Sequence, residues 1–246
     1  MTETMEINCG TGDNAYKVVL TGAYANIFGL VKAAPAVQDK EGEDLVAAIR
    51  ETVPDGISQI KRLNKDGQAN NGADGEPAVQ TFKGSKLTTV EYVQNGLFND
   101  GPNGEPAYQE LSDDGSPRVT RRYKNGALND GPNGEPAFEA SIVLSHWGRD
   151  YKAHSIQHFK DGLLNDGLHG EPAKQLIIRG LLDDTSVEHY KNGEPSNGAN
   201  GEPAIQKFNV GGRLTEAWKL KDNGKKKALG YIARRKAQKK FGLTRG

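Results

Sequence analysis

The stretch Asn99-Asp100-Gly101-Pro102-Asn103-Gly104-Glu105-Pro106-Ala107 recurs letter for letter as Asn129-Asp130-Gly131-Pro132-Asn133-Gly134-Glu135-Pro136-Ala137. Its last four residues, Gly-Glu-Pro-Ala, also begin at Gly75, Gly170 and Gly201, so successive tetrapeptides stand 29, 30, 36 and 31 residues apart. The surroundings repeat as well. An aromatic, a Lys and a turn pair precede the later copies, as Tyr123-Lys-Asn125-Gly126, Phe159-Lys-Asp161-Gly162 and Tyr190-Lys-Asn192-Gly193. Short apolar-rich stretches follow the tetrapeptide, as Val79–Phe82, Tyr108–Leu111 and Ile205–Phe208. A period near 30 residues is the mark of a repeat architecture.

These letters set the local structure. Asn-Gly and Asp-Gly favour tight hairpin turns in which φ becomes positive. Segments such as Val187–Tyr190 suit strands, and Pro belongs at a strand start or edge because it has no N–H for a ladder. The repeated Gly75, Gly104, Gly134, Gly170 and Gly201 are expected to hold a backbone conformation closed to β-branched residues. One hairpin is marginal alone, so neighbours must stack to share a core. The sequence therefore predicts a mainly β protein, an antiparallel meander of five to six β-hairpin repeats over residues 57–224.

The repeat resembles the MORN-like β-hairpin families, in particular bacterial and viral variants in which aromatic-x-Asn-Gly precedes Asp-Gly-x-x-Gly-x-Pro-Ala. The resemblance covers residues 57–224. Tyr92 stands one residue out of phase with the usual pattern, and Leu63 takes an aromatic position. The resemblance implies a scaffold or binding surface.

The ends differ from the middle. Residues 1–56 are expected to form a small α/β cap over the open end of the stack, with a strand at Tyr16–Leu20 and an apolar segment at Ile27–Val31. A helix is expected from Glu43 to Val53, its Leu45, Ile49 and Val53 at i, i+4 and i+8, stopped by Pro54. Residues 225–246 read as a basic tail or helix. The chain has no net charge, yet residues 221–246 hold ten Lys or Arg against one Asp, so the body is acidic. The single Cys9 excludes an intramolecular disulfide. Met1–Glu6 lacks the features of a signal peptide and no apolar run is long enough to span a bilayer, so a cytoplasmic protein is expected.

Few residues offer distinctive chemistry. Five identical glutamates, Glu76, Glu105, Glu135, Glu171 and Glu202, read as shared turn elements, since an acid–base site needs one or two distinctive carboxylates. The Asn/Asp/Gly runs offer oxygens of the kind calcium uses, but they match no calcium loop. His146, His154, His158, His169 and His189 form no zinc motif. Gly10-Thr11-Gly12 is too short for a phosphate loop, and no cofactor motif is present. Tyr123, Phe159, Tyr190 and Trp218 read as the core stripe of the repeat, with base or glycan stacking as the alternative. The basic residues Lys225, Lys226, Lys227, Arg234, Arg235, Lys236, Lys239, Lys240 and Arg245 read as a surface for nucleic acid or another anionic partner, against the alternative of a solvated tail.

The functional expectation is a non-enzymatic, macromolecule-binding repeat protein. Its acidic sheet would meet a protein or ribonucleoprotein, and its basic end nucleic acid. A phage-encoded inhibitor of a bacterial nuclease defence, or an antitoxin, acting by surface occupation, has this design. A structural or virion component assembling through sheet edges is the alternative, and an enzyme with its site in residues 1–56 is a third class that no motif supports.

Overall fold

The computed structural model describes residues 4–9, 15–22, 41–51, 57–146, 149–179, 185–209, 212–221 and 224–241. The segment Ile27–Val31, Gly10-Thr11-Gly12, Val53, Pro54 and Arg245 lie outside these. The protein is mainly β. Among the described residues, fourteen strands form one antiparallel sheet in chain order, short two-residue strands stand aside as hairpins, and two helices accompany them. The chain divides into two compact units, residues 1–118 with 123–126 and residues 119–122 with 127–246.

The first unit holds β1 (Thr4–Cys9), β2 (Tyr16–Gly22), α1 (Gly42–Glu51), β3 (Ile57–Leu63), β4 (Val79–Lys83), β5 (Lys86–Glu91), β6 (Val93–Gln94), β7 (Leu97–Phe98) and β8 (Tyr108–Leu111). β9 (Pro117–Arg121) runs from the first unit into the second, and β10 (Tyr123–Lys124) belongs to the first. The N-terminal strands are continuous with the repeat strands: β2 pairs β3 from Lys17↔Leu63 to Gly22↔Ser58. One core joins Ile7, Val18, Leu20 and Ile49 to Ile60 and Phe82. Helix α1 places Leu45 and Ile49 on its packed side. Its Glu43 receives Arg62 in a two-pronged contact, Nε to Oε1 at 2.6 Å and Nη2 to Oε2 at 2.7 Å, while the Tyr16 hydroxyl donates to Oε1 at 3.0 Å. Arg62 is only 3% exposed, and the paired carboxylate makes that burial tolerable. Burial first, and then Glu43, pushes the Cys9 thiol up to about 11. Such a thiol is a packing group rather than a nucleophile.

The second unit holds β11 (Ala127–Leu128), β12 (Phe138–His146), β13 (Arg149–Gln157), β14 (Phe159–Lys160), β15 (Leu163–Leu164), β16 (Lys174–Arg179) and β17 (Thr185–Glu188). After these come β18 (Tyr190–Lys191), β19 (Glu194–Pro195), β20 (Ile205–Phe208), β21 (Leu214–Leu220), β22 (Lys226–Ala228) and α2 (Tyr231–Phe241). Val187–Tyr190 is not one strand, as its composition suggested. The chain leaves the sheet at His189, whose N–H donates to Ala204, and re-enters a small hairpin at Tyr190. His158 and Ala173 do the same one copy earlier, and Tyr92 and Ala107 in the first unit. Tyr92 is therefore in phase with the two histidines. The alanines of the tetrapeptides, Ala78, Ala107, Ala137, Ala173 and Ala204, are at most 2% exposed, which leaves no room for a larger side chain.

The turn pairs behave as their letters require. Asn95, Asn125, Asp161 and Asn192 have φ of 50–52°, and the glycine after each is also positive, the backbone of a hairpin turn that keeps the strand twist. Ahead of the second, third and fourth tetrapeptides an Asn-Asp pair reaches into the next copy. Asn99 accepts the Asn125 N–H at 3.0 Å, and Asp100 Oδ1 accepts the N–H groups of Ala107 and Tyr123, both at 2.9 Å. In the second unit Asn129 accepts from Asp161 and Asp130 from Ala137 and Phe159. Asn165 and Asp166 make the same set with Asn192, Ala173 and Tyr190. These aspartate oxygens are thus committed to backbone N–H groups. Among the described residues no group of three His, Cys, Asp or Glu could hold a metal ion.

Each tetrapeptide glutamate folds back onto its own turn. Glu135 accepts the Asn133 N–H at 2.9 Å and its side-chain amide at 3.0 Å, and these hydrogen bonds hold its carboxyl below the usual range. A Cβ on Gly131 would collide with this carboxylate, and Gly134 sits at φ 88°. Gly134→Val is expected to cost about 1–3 kcal/mol through backbone strain. Glu135→Ala should cost about 1 kcal/mol or less, since it removes surface hydrogen bonds. Matched urea melts give the order, and the reverse order would reject this assignment.

Candidate nucleic-acid interface

The basic residues of the C-terminal segment are mounted on the sheet rather than trailing from it. This corrects the boundary expected at 224/225. Gly224, read as a break, is a hairpin turn at φ 73°, its N–H donating to Lys221. Beyond it β22 pairs β21, with Leu220↔Lys226, Lys219↔Lys227 and Trp218↔Ala228 in register. The expected helix is shorter than Lys225–Phe241 because residues 226–228 are drawn into the sheet, and α2 starts after Gly230.

Leu229 fixes the crossing between strand and helix. It packs on Phe208, Leu214 and Ala217, and its N–H donates to the Ala217 carbonyl at 2.9 Å. Helix α2 then lies on β21. Ala237 is buried, and Gln238 donates to the Gly212 carbonyl at 2.9 Å. Arg234 is half-buried and donates to the Thr215 carbonyl, so it positions the helix instead of projecting. Its neighbours Arg235, Lys236, Lys239 and Lys240 are exposed. On the strands Lys225, Lys226 and Lys227 are exposed, together with Lys219 and Lys221, which the sequence alone did not single out. Lys219 was legible only through its register with Lys227, and no local motif marks it.

The charge arrangement is self-repelling. Lys219 and Lys227 stand directly opposite one another, an unfavourable cross-strand pair. Arg235/Lys239 and Lys236/Lys240 are at i and i+4 on a helix, where like charges also repel. Glu216, which lies beside this segment, is already engaged. It accepts from the Trp218 indole and pairs Lys207 at 3.0 Å, and these two contacts lower its pKa. Lys239 and Lys240 lie in the last turn, where cations meet the helix dipole favourably, which offsets part of the repulsion.

The remaining candidates have structural places. The five tetrapeptide glycines have φ of 83–89° and lie in the turns. His158 and His189 are buried, with Nδ1 2.8 Å from Asp130 Oδ2 and 2.9 Å from Asp166 Oδ2. Tyr123 stacks on Phe98 with centroids 5.2 Å apart. No family model, curated protein or solved structure matches the chain.

Proposed function

We propose that the protein is a non-enzymatic binding protein whose C-terminal end contacts the phosphates of a nucleic acid. The observation that carries this reading is the like-charged register of Lys219 and Lys227 within an ordered sheet end. A solvated tail would keep its lysines apart at no cost. A sheet that opposes them loses stability unless an anion sits between. Preorganised cations release counterions on binding phosphate without first being ordered, so they give affinity with little sequence preference. Lysines on an edge strand also oppose edge-to-edge pairing, so this end favours a polyanion over another copy of the chain. Occupation of a nucleic acid or ribonucleoprotein surface suits an inhibitor or antitoxin of the kind that the repeat architecture suggests.

Fluorescence anisotropy with random-sequence DNA and RNA 20-mers at low salt tests the proposal. The intact chain is expected to bind both. Lys219→Gln with Lys227→Gln should weaken binding by about tenfold or more while leaving the melt unchanged or slightly improved. Absence of binding by the intact chain, or binding indifferent to the double substitution, overturns the reading.

A further inference from the structure

A second like-charged pair lies elsewhere in the second unit, on a different kind of surface. The interval from Gly134 to Gly170 is the longest between tetrapeptides, and the extra residues lengthen β12 and β13 to nine each, paired from Phe138↔Gln157 to His146↔Arg149. β16 continues the sheet up to Lys152↔Arg179. Two cross-strand rows result: Ser141, His154 and Ile177, then Val143, Lys152 and Arg179. Alternate residues of a strand share a face, so all six line one concavity of about 410 Å³.

The two rows differ in how their polar groups are met. Ser141 Oγ lies 2.9 Å from His154 Nδ1, and His154 Nε2 lies 3.4 Å from Glu139. Lys152 and Arg179 are exposed, opposed, and without an acid partner among the described residues. Elsewhere in this unit the register sets Lys174 opposite Glu188 and Lys207 opposite Glu216. Beside the two cations Val143 is 60% exposed.

We propose that this face is a docking surface for a protein partner, through an extended segment that sets a carboxylate between Lys152 and Arg179 and an apolar side chain on Val143 and Ile177. Charge complementarity selects the carboxylate, and the apolar half of the patch selects a peptide over a phosphate backbone, which has nothing to bury there. The site is separate from the basic end and stands independently of the nucleic-acid reading.

The probe is a capped, fluorescent peptide Ser-Val-Ser-Glu-Ser-Val-Ser, whose Val and Glu share one face when extended. Controls replace Glu by Lys, or both Val by Ser, and a DNA 20-mer completes the set. The intact chain is expected to bind the probe and neither peptide control. Lys152→Glu converts the like pair into an opposite pair, so the melting temperature should rise slightly while peptide affinity falls by about tenfold or more. A merely structural role cannot move the two in opposite directions. Val143→Ser should weaken the peptide and leave binding of DNA by the basic end unchanged. No peptide binding, binding indifferent to Lys152→Glu, self-association abolished by Lys152→Glu, or equal loss of DNA binding would each overturn the proposal.

Discussion

Deleting residues 225–246 is expected to lower the melting temperature by about 10 °C. The deletion strips β22 from β21 and removes Leu229 and Ala237, leaving Phe208, Leu214 and Ala217 partly uncovered. Burial of side chains of this size contributes about 1.5–3 kcal/mol each when complete. A net loss near 3–5 kcal/mol follows, at about 2–4 °C per kcal/mol for a chain of this length. An unchanged melt of the truncated chain would show that β22 and α2 are not part of the folded unit. For the same reason truncation is a poor assay of the interface, and point substitutions on the exposed lysines are the cleaner one.

Asp130→Ala should be nearly as damaging, at about 3 kcal/mol. One carboxylate oxygen accepts the N–H groups of Ala137 and Phe159, and the other faces buried His158. Removing the carboxylate orphans all three of these groups, each of which costs about 1–3 kcal/mol when buried and unsatisfied. Asp130→Asn keeps the oxygen that accepts both amides and should lose much less. The chain itself carries Asn at the matching positions Asn71 and Asn197, where it accepts the N–H of Val93 and of Leu220. Urea melts of the two variants check this, and equal losses would show that the amide clamp is not what Asp130 supplies.

The fold class was readable because its determinants are local. The pairs Asn95-Gly96, Asn125-Gly126, Asp161-Gly162 and Asn192-Gly193 and the tetrapeptide glycines take the positive φ their chemistry favours, whereas Gly101, Gly131 and Gly167, each after an Asp, do not. The helix around Leu45 and Ile49 followed from its period. What the letters hid was the use of side-chain oxygens across copies. Asn99 and Asp100 look like turn residues in isolation, and only the neighbouring copy shows that they accept N–H groups 23 to 26 residues away. The C-terminal boundary was misplaced for a related reason. Lys226-Lys227-Ala228 has poor strand propensity, and its pairing is imposed by β21 and by the anchoring of Leu229. Composition located the cations. Register placed Lys219 opposite Lys227 and made them a surface.

The most direct test of the central claim is the salt dependence of nucleic-acid affinity, with the intact chain beside Lys219→Gln/Lys227→Gln. If the ordered sheet end clamps phosphates, log affinity falls linearly with log salt, and the substituted chain loses about 1–2 from the slope. Identical slopes, or an affinity independent of salt, would contradict a phosphate-binding role for this end of the protein.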